Sequence, residues 1–173
     1  MFKLFYPDEY YISAYSIPYE ELYNQGYRGI IYDIDNTLVP HGAPADVRSI
    51  ELFDRLKKIG FSCTLLSNNK QPRVDMFNEK INVHTICKAG KPKKNGYIKA
   101  CELMNTDINN TLFVGDQVFT DVWGAKRTGI HSIMVKYMDP KEEIQIVLKR
   151  KLEKIVLWSY LRHHEMLGEQ KEK

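Results

Sequence analysis

Ile30-Ile31-Tyr32-Asp33-Ile34-Asp35-Asn36-Thr37-Leu38-Val39 is the stretch whose reading decides the fold of this chain. It opens as a short apolar run, the pattern of a buried strand. It then sets two carboxylates two residues apart, and side chains at that spacing in extended backbone point to one side. Two like charges facing one spot are unfavourable unless a cation or a shared proton offsets them. Alone, the pattern also fits a polar turn that ends a core strand. Three later segments separate the two readings.

Working outward, residues 61–66 form a second apolar strand that ends at Ser67-Asn68-Asn69. Residues 83–87 form a short third strand, followed by Lys88-Ala89-Gly90-Lys91-Pro92. Residues 111–114 form a fourth, ending at Gly115-Asp116, and residues 131–136 a fifth. Between them the spacing predicts helices over 45–59, 73–80, 95–104 and 118–127. The first has an apolar face of Val47, Ile50, Leu52, Phe53 and Leu56, with Gly60 as its stop. Strands that alternate with helices imply right-handed crossovers and an α/β fold, a doubly wound, mostly parallel sheet of about five strands. In such sheets ligands sit beyond the carboxyl ends of the strands. Asp33, Ser67, Lys91 and Asp116 all follow strand ends.

Composition sets the frame for that site. With 173 residues, 43% hydrophobic and 27% charged, the chain reads as one globular core of ordinary balance. A net charge of +3 permits anionic substrates or surfaces and gives no indication of nucleic acid. Cys63, Cys87 and Cys101 form no CxxC pair and read as reduced thiols of a cytoplasmic protein. No apolar run reaches transmembrane length, and Met1-Phe2-Lys3-Leu4-Phe5 is cut short by Pro7-Asp8-Glu9, which is no signal peptide. Membrane contact, if any, is expected to be peripheral, at the inner face.

The flanks carry two further expectations. Eight of the eleven tyrosines fall between Tyr6 and Tyr32, so residues 1–28 read as an aromatic arm packed along the domain surface. The other reading is an aromatic edge near substrate or membrane. Residues 139–173 read as one long helix that frays at Gly168. Its stripe of Ile144, Val147, Leu148, Leu152, Ile155 and Trp158 is expected to pack on the domain, with Ile146 and Leu157 pointing away. Lys149, Arg150, Lys151, Lys154 and Arg162 surround these positions. They suit a solvated face, a contact with a second subunit or an interfacial helix on anionic lipid.

If the site handles a phosphoryl group, each residue finds a role. Asp33 would be the nucleophile that forms an aspartyl phosphate. Asp35 would protonate the leaving oxygen and then activate water. Ser67 would donate a hydroxyl hydrogen bond to the phosphoryl oxygens, and Lys91 would hold them as a point charge. Thr37 and Asn68 join them as candidate phosphate ligands. Asp116 would complete a Mg²⁺ site with Asp33 and the backbone carbonyl of Asp35, a ligand set that suits this ion. Gly115, Gln117 and Asp121 would support it, although an acid in the first turn of a helix, like Asp121, is also simply stabilised there.

DxDNT, then Ser, then Lys, then GDQxxTD, each after an apolar strand, resembles motifs one to four of the haloacid dehalogenase-like (HAD) phosphohydrolases. The pair of Asp33-Ile34-Asp35-Asn36-Thr37 with Gly115-Asp116-Gln117-Val118-Phe119-Thr120-Asp121 resembles subfamily IIIA. Ser67-Asn68-Asn69, Lys91-Pro92 and Asp121-Val122-Trp123-Gly124 look like the bacterial YqeG-type proteins, over about residues 7–137. The resemblance implies a Rossmann-like HAD core over residues 1–137 and a Mg²⁺-dependent phosphatase; the amphipathic basic helix read over 138–173 follows that core. Family members carry substrate-choosing caps after motif one or between motifs two and three. Here residues 38–44 and 68–90 leave no room for one, so the site is expected to be open to bulky substrates. YqeG-type proteins are similar to mitochondrial-type phosphatidylglycerophosphate phosphatases, which makes that lipid the leading substrate expectation. Soluble sugar, nucleotide or glycerol phosphates are the alternative. Lys88, which also follows the third strand, competes with Lys91 for the phosphate. Two readings of other classes are weaker. A receiver-type phosphate switch needs an Asp ending its second or third strand, and none is there. A catalytically silent scaffold would not need the full set of acids.

Overall fold

A computed structural model describes residues 3–138 and 144–166. The sheet contains β1 (Glu9–Tyr11), β2 (Gly29–Tyr32), β3 (Ser62–Leu66), β4 (His84–Ile86), β5 (Thr111–Gly115) and β6 (His131–Val135). Their spatial order is β1-β6-β5-β2-β3-β4, and every neighbouring pair is parallel. β2 is buried along its whole length, as a strand covered on both faces must be. The chain leaves β2 for β3 and β4 on one side, then crosses back to β5 and β6 on the other. That reversal opens a crevice at the carboxyl ends of β2 and β5, where such sheets bind ligands. Tyr32 lies opposite Leu65 of β3 and Val114 of β5, so the three strands end at nearly one level.

Helices α1 (Tyr19–Asn24), α2 (Val47–Ile59), α3 (Gln71–Asn78), α4 (Lys94–Met104) and α5 (Trp123–Thr128) flank the sheet. α2 begins at Val47 because Asp46 caps it. The Asp46 carboxylate accepts from the Ser49 amide at 2.8 Å, and the Asp46 amide donates to Ser49 Oγ at 2.9 Å. Such a reciprocal cap is worth roughly 0.5–2 kcal/mol. Leu52, Phe53 and Leu56 enter the core as expected. Val47 does not, and its place in the first turn leaves it 69% exposed. Gly60 ends the helix at φ +113°, a left-handed conformation that favours glycine.

The aromatic arm is part of the sheet, which therefore has six strands where the sequence predicts about five. Glu9 to Tyr11 pair with Ile133 to Val135, and Asp8 anchors the start of that pairing. Its carboxylate accepts from the Ser132 amide and hydroxyl, both at 2.8 Å, and pairs with Lys126. Tyr19 is fully buried; its hydroxyl donates to Ala14 O at 2.6 Å and accepts from Tyr32 at 2.7 Å. Three residues are too short a strand to show a period, which is why β1 is invisible in the sequence.

Residues 118–127 are not one helix. A π-helical turn, Val118–Val122, precedes α5, a feature frequent at functional sites. The C-terminal helix α6 (Ile144–Met166) also departs from expectation. Glu153, Val156 and Tyr160 are buried, with Leu157 partly so, while Leu152, Ile155 and Trp158 are 55%, 55% and 61% exposed. Leu152, Ile155 and Trp158, the described part of the expected core stripe, thus face away from the domain, and Leu157 packs on it. Tertiary partners set this rotation. Glu153 Oε1 accepts from the Val118 amide at 2.9 Å, Ser159 Oγ bonds Tyr6 at 2.7 Å, and Tyr160 meets the Tyr6 ring edge-on. The side chains of Ile144, Ile146, Val147, Leu148, Lys149 and Arg150 lie outside the described residues, as do residues 139–143 and 167–173 altogether.

Candidate active site

The loop after β2 turns sharply. Asn36 sits at φ +63°, a left-handed conformation that asparagine tolerates better than most residues. Its amide donates to Val39 O at 2.8 Å, and the Leu38 amide to Ile34 O at 2.9 Å. This turn presents Asp33 and Asp35 at the mouth of the crevice, 6% and 9% exposed. Asp33 is tied to the sheet by its amide, which donates to Val114 O at 3.0 Å and sets it beside the end of β5.

Lys91 reaches in from the loop after β4. Its ammonium donates to Asp33 Oδ1 at 2.6 Å and to Asp121 Oδ1 at 2.7 Å, with the side chain only 4% exposed. Asn68 braces this lysine from behind: its Oδ1 accepts from the Lys91 amide at 2.8 Å. Asn68, expected among the phosphate ligands, thus spends its amide on the Lys91 backbone. Lys88 is exposed at φ +46°. Ser67 Oγ accepts from the Asn69 amide at 3.1 Å, which leaves its hydroxyl hydrogen available for donation to an anion. Thr37 is buried and donates to Asp116 Oδ1 at 3.2 Å, so it orients an acid.

Asp116 follows β5 and is fully buried, as is Asp121. Asp121 Oδ2 accepts from the amides of Asp116 and Gln117 at 3.2 and 3.1 Å, which pins the loop around Asp116. Gly115 makes room for this: a Cβ there would stand 2.5 Å from Asp121 Oδ2. Gln117 Oε1 accepts from the Thr120 hydroxyl at 3.2 Å. Tyr97 of α4 donates to Thr120 O at 2.9 Å, which steadies the turn from below.

Asp33, Asp116 and Asp121 each bring a carboxylate oxygen within 4.8 Å of the others, all three residues buried. An all-oxygen, multiply charged set fits a hard divalent cation such as Mg²⁺. The expected metal set included Asp35 in place of Asp121, with Asp35 contributing its backbone carbonyl. Electrostatics support a site designed for positive charge. Burial pushes the Asp33 carboxyl up to about 7, against the downward pull of Lys91 and with added push from Asp121 and Asp35. Burial works against the Lys91 ammonium, yet Asp121 and Asp33 raise it above its ordinary value.

The Asp35 side chain is held apart from this cluster. Oδ1 accepts from the Gly42 amide at 2.7 Å and from Arg73 Nη2 at 2.8 Å, and Oδ2 from Asn69 Nδ2 at 2.6 Å. His41 Nδ1 stands 3.9 Å away. Arg73 and His41 have no signature in the spacing of the motifs. Asn69 was visible only as part of Ser67-Asn68-Asn69. The arrangement supplies a buried carboxylate nucleophile candidate, a buried ammonium for an anion, a cation-binding triad and a second acid beside them.

Known proteins resemble this chain in sequence and in fold. The family described as HAD-hydrolase-like matches residues 88–141. The chain is 35% identical to the Bacillus subtilis (strain 168) protein described as "Probable phosphatase YqeG", over 90% of this chain and 91% of that protein. It is 26% identical to a glyceraldehyde 3-phosphate phosphatase of Pyrococcus abyssi, over 48% of this chain and 39% of that one. A HAD-superfamily hydrolase from Ehrlichia chaffeensis shares the fold at TM-score 0.52 and 14% identity, covering 75% of this chain and 96% of its own.

Proposed function

The chain belongs to the HAD-like phosphatases of YqeG type, and on that premise we propose that it is a Mg²⁺-dependent phosphomonoesterase. In this reading it works through an aspartyl phosphate on Asp33, with phosphatidylglycerophosphate as substrate. The observation that carries the reading is the buried Lys91 ammonium on Asp33 beside the Asp33–Asp116–Asp121 triad, on the carboxyl-end side of the sheet. Asp33, Asp116 and the Asp35 carbonyl would hold the ion, with Asp121 fixing Lys91 and the Asp116 loop. When bound, Mg²⁺ supplies charge neutralisation among the acids and polarises a phosphoryl oxygen.

The chain's own residues then do the following. Lys91 and the Ser67 hydroxyl bind the phosphoryl oxygens and align phosphorus with Asp33. An Asp33 carboxylate oxygen attacks phosphorus, the ester P–O bond breaks, and Asp35 gives its proton to the departing oxygen. Asp35, now a carboxylate, takes a proton from water as the water oxygen attacks the same phosphorus. The acyl-phosphate P–O bond breaks, and Asp33 and inorganic phosphate are released.

For the substrate, support comes from the lack of an inserted cap and from α6. Between Asp35 and Asp46 the chain makes only a turn, so no cap domain is inserted after the first motif. The outer face of α6 exposes Leu152, Ile155, Trp158 and Leu161 beside the exposed Lys151, Lys154 and Arg162, a surface suited to anionic lipid. No helix among the described residues is long and apolar enough to cross a membrane, and the contact proposed for α6 is peripheral, at the inner face. A soluble three-carbon phosphate is the second reading, favoured by the similarity to the glyceraldehyde 3-phosphate phosphatase. With such a substrate, the α6 face would serve a second subunit instead.

The deciding experiment is Mg²⁺-dependent phosphate release by wild type and Asp33→Asn, on phosphatidylglycerophosphate in mixed micelles beside soluble phosphomonoesters. Turnover of the lipid that vanishes in the variant supports mechanism and substrate together. An Asp33→Asn protein that releases phosphate at the wild-type rate overturns the covalent mechanism. Preference for a soluble ester overturns the lipid assignment alone.

A further inference from the structure

Three successive backbone amides after β5 end on carboxylates. Those of Asp116 and Gln117 donate to Asp121 Oδ2 at 3.2 and 3.1 Å, and that of Val118 donates to Glu153 Oε1 at 2.9 Å. Asp121 belongs to the same turn, whereas Glu153 comes from α6, 35 positions from the amide it holds. Val118 begins the π-helical turn that carries Asp121. Glu153 is 3% exposed, and Val156, one helical turn on, shares an apolar cluster with Val118 and Val122. In such surroundings an amide that loses its acceptor stays unpaired unless the backbone shifts to find another.

We propose that Glu153 is a positioning residue for the cation site. By holding the Val118 amide it fixes the turn that carries Asp121 and, through Asp121, the backbone of Asp116. The inference rests on the phosphatase reading above and makes the C-terminal helix a working part of its metal site. α6 brings no ligand to the triad; it sets the segment on which two of the three acids stand. Asp121 holds two amides of that segment, Glu153 the next, and the Thr37 hydroxyl donates to Asp116 Oδ1. Backbone and carboxylate of Asp116 are thus both oriented before an ion arrives. Groups that orient metal ligands in this way carry roughly 10–100-fold in metal affinity.

Three variants test it. Glu153→Met keeps the length of the side chain and removes the acceptor, while Glu153→Gln keeps an acceptor oxygen. Ser159→Ala is the control, since it removes a different tie of α6, the bond to Tyr6. By calorimetry, Glu153→Met should bind Mg²⁺ about tenfold or more weaker than wild type, Glu153→Gln within about threefold, and Ser159→Ala as wild type. In EDTA, NMR-detected exchange of the Asp116 and Gln117 amides should quicken about tenfold in Glu153→Met relative to the amides of α2, although both keep Asp121 as acceptor. Wild-type Mg²⁺ affinity in Glu153→Met overturns the proposal, as does a loss that Glu153→Gln or Ser159→Ala shares in full. Should wild type bind no Mg²⁺, the reading of the triad as a cation site fails. Exchange in EDTA then decides Glu153 by itself, and unchanged Asp116 and Gln117 amides overturn its hold. Should Glu153→Met not fold, the wild type carries the test, because coupling between two sites is reciprocal. Saturating Mg²⁺ should slow exchange of the Val118 amide about tenfold beyond any change in α2, and no such slowing overturns the proposal.

Discussion

Replacing Lys91 by Met should destabilise the metal-free protein in a way that depends on pH. Met keeps the length of the side chain and removes the ammonium that Asp33 and Asp121 share at 2.6 and 2.7 Å. With Asp116 within 4.8 Å, three buried carboxylates then face one another without a cation. Removing one partner of a buried pair costs about 3–5 kcal/mol. Proton uptake offsets part of that. Burial already pushes Asp33 up to about 7 in spite of Lys91, so without Lys91 its carboxyl rises further. A carboxyl raised on folding binds more protons in the native state, so stability falls as pH climbs toward the folded value. In wild type that decline ends just above 7; in Lys91→Met it continues, adding up to about 1.4 kcal/mol per pH unit. Urea denaturation in EDTA should therefore show a modest loss at pH 6 and most of the full ~3–5 kcal/mol by pH 8.5. Adding Mg²⁺ should restore part of it. A variant with the wild-type midpoint at pH 8.5 in EDTA, or a loss that shrinks with rising pH, would refute the reasoning.

Gly115→Ala drives a Cβ to 2.7 Å from the Asp121 Cβ, so it should displace the carboxylate that pins the Asp116 loop. We expect Mg²⁺ affinity, read by calorimetry, to fall at least tenfold, in line with loss of groups that orient metal ligands; unchanged affinity counts against the role given to Asp121. Glu153→Ala strands the buried Val118 amide and should cost about 1–3 kcal/mol in thermal or urea unfolding. Asp8→Ala removes the tie between β1 and β6. Burial opposes the Asp8 carboxylate, but Lys126 and Ser132 hold it below its ordinary value overall. Its contribution is therefore complete above pH ~4 and lost as pH falls through the depressed value. Asp8→Ala should lower the unfolding midpoint at pH 7 and have little effect at pH 2, whereas equal shifts at both would remove the ionic account.

The site was more legible in the sequence than the edges of the fold. Asp33, Ser67, Lys91 and Asp116 could be found because each follows a buried apolar run, and a parallel sheet brings such ends together whatever the loops between them do. Lys91 and Lys88 lie on the same short loop, and spacing alone does not separate them; burial against Asp33 does. Asp121 was legible as a supporting residue but read equally well as a helix-start acid. Its place in the triad depends on a π-helical turn, whose width no local propensity encodes. β1 escaped notice because its three residues gain their strand character from β6, more than a hundred positions away.

The C-terminal helix shows the same division. Its apolar residues fall on more than one stripe, and hydrophobic periodicity cannot say which stripe meets the domain. The choice fell to Glu153, Val156 and Tyr160 because the Val118 amide and the Tyr6 ring offered partners for that face. Sequence alone determined the order of strands and helices, the acids at the strand ends and the type of chemistry they can perform. These are properties of local period and residue type, carried by neighbours a few positions apart. Tertiary structure decided the sixth strand, the rotation of α6, the third member of the acidic triad and the hold of Arg73 on Asp35. Each of these is a contact between distant segments, set by which buried polar group found a partner.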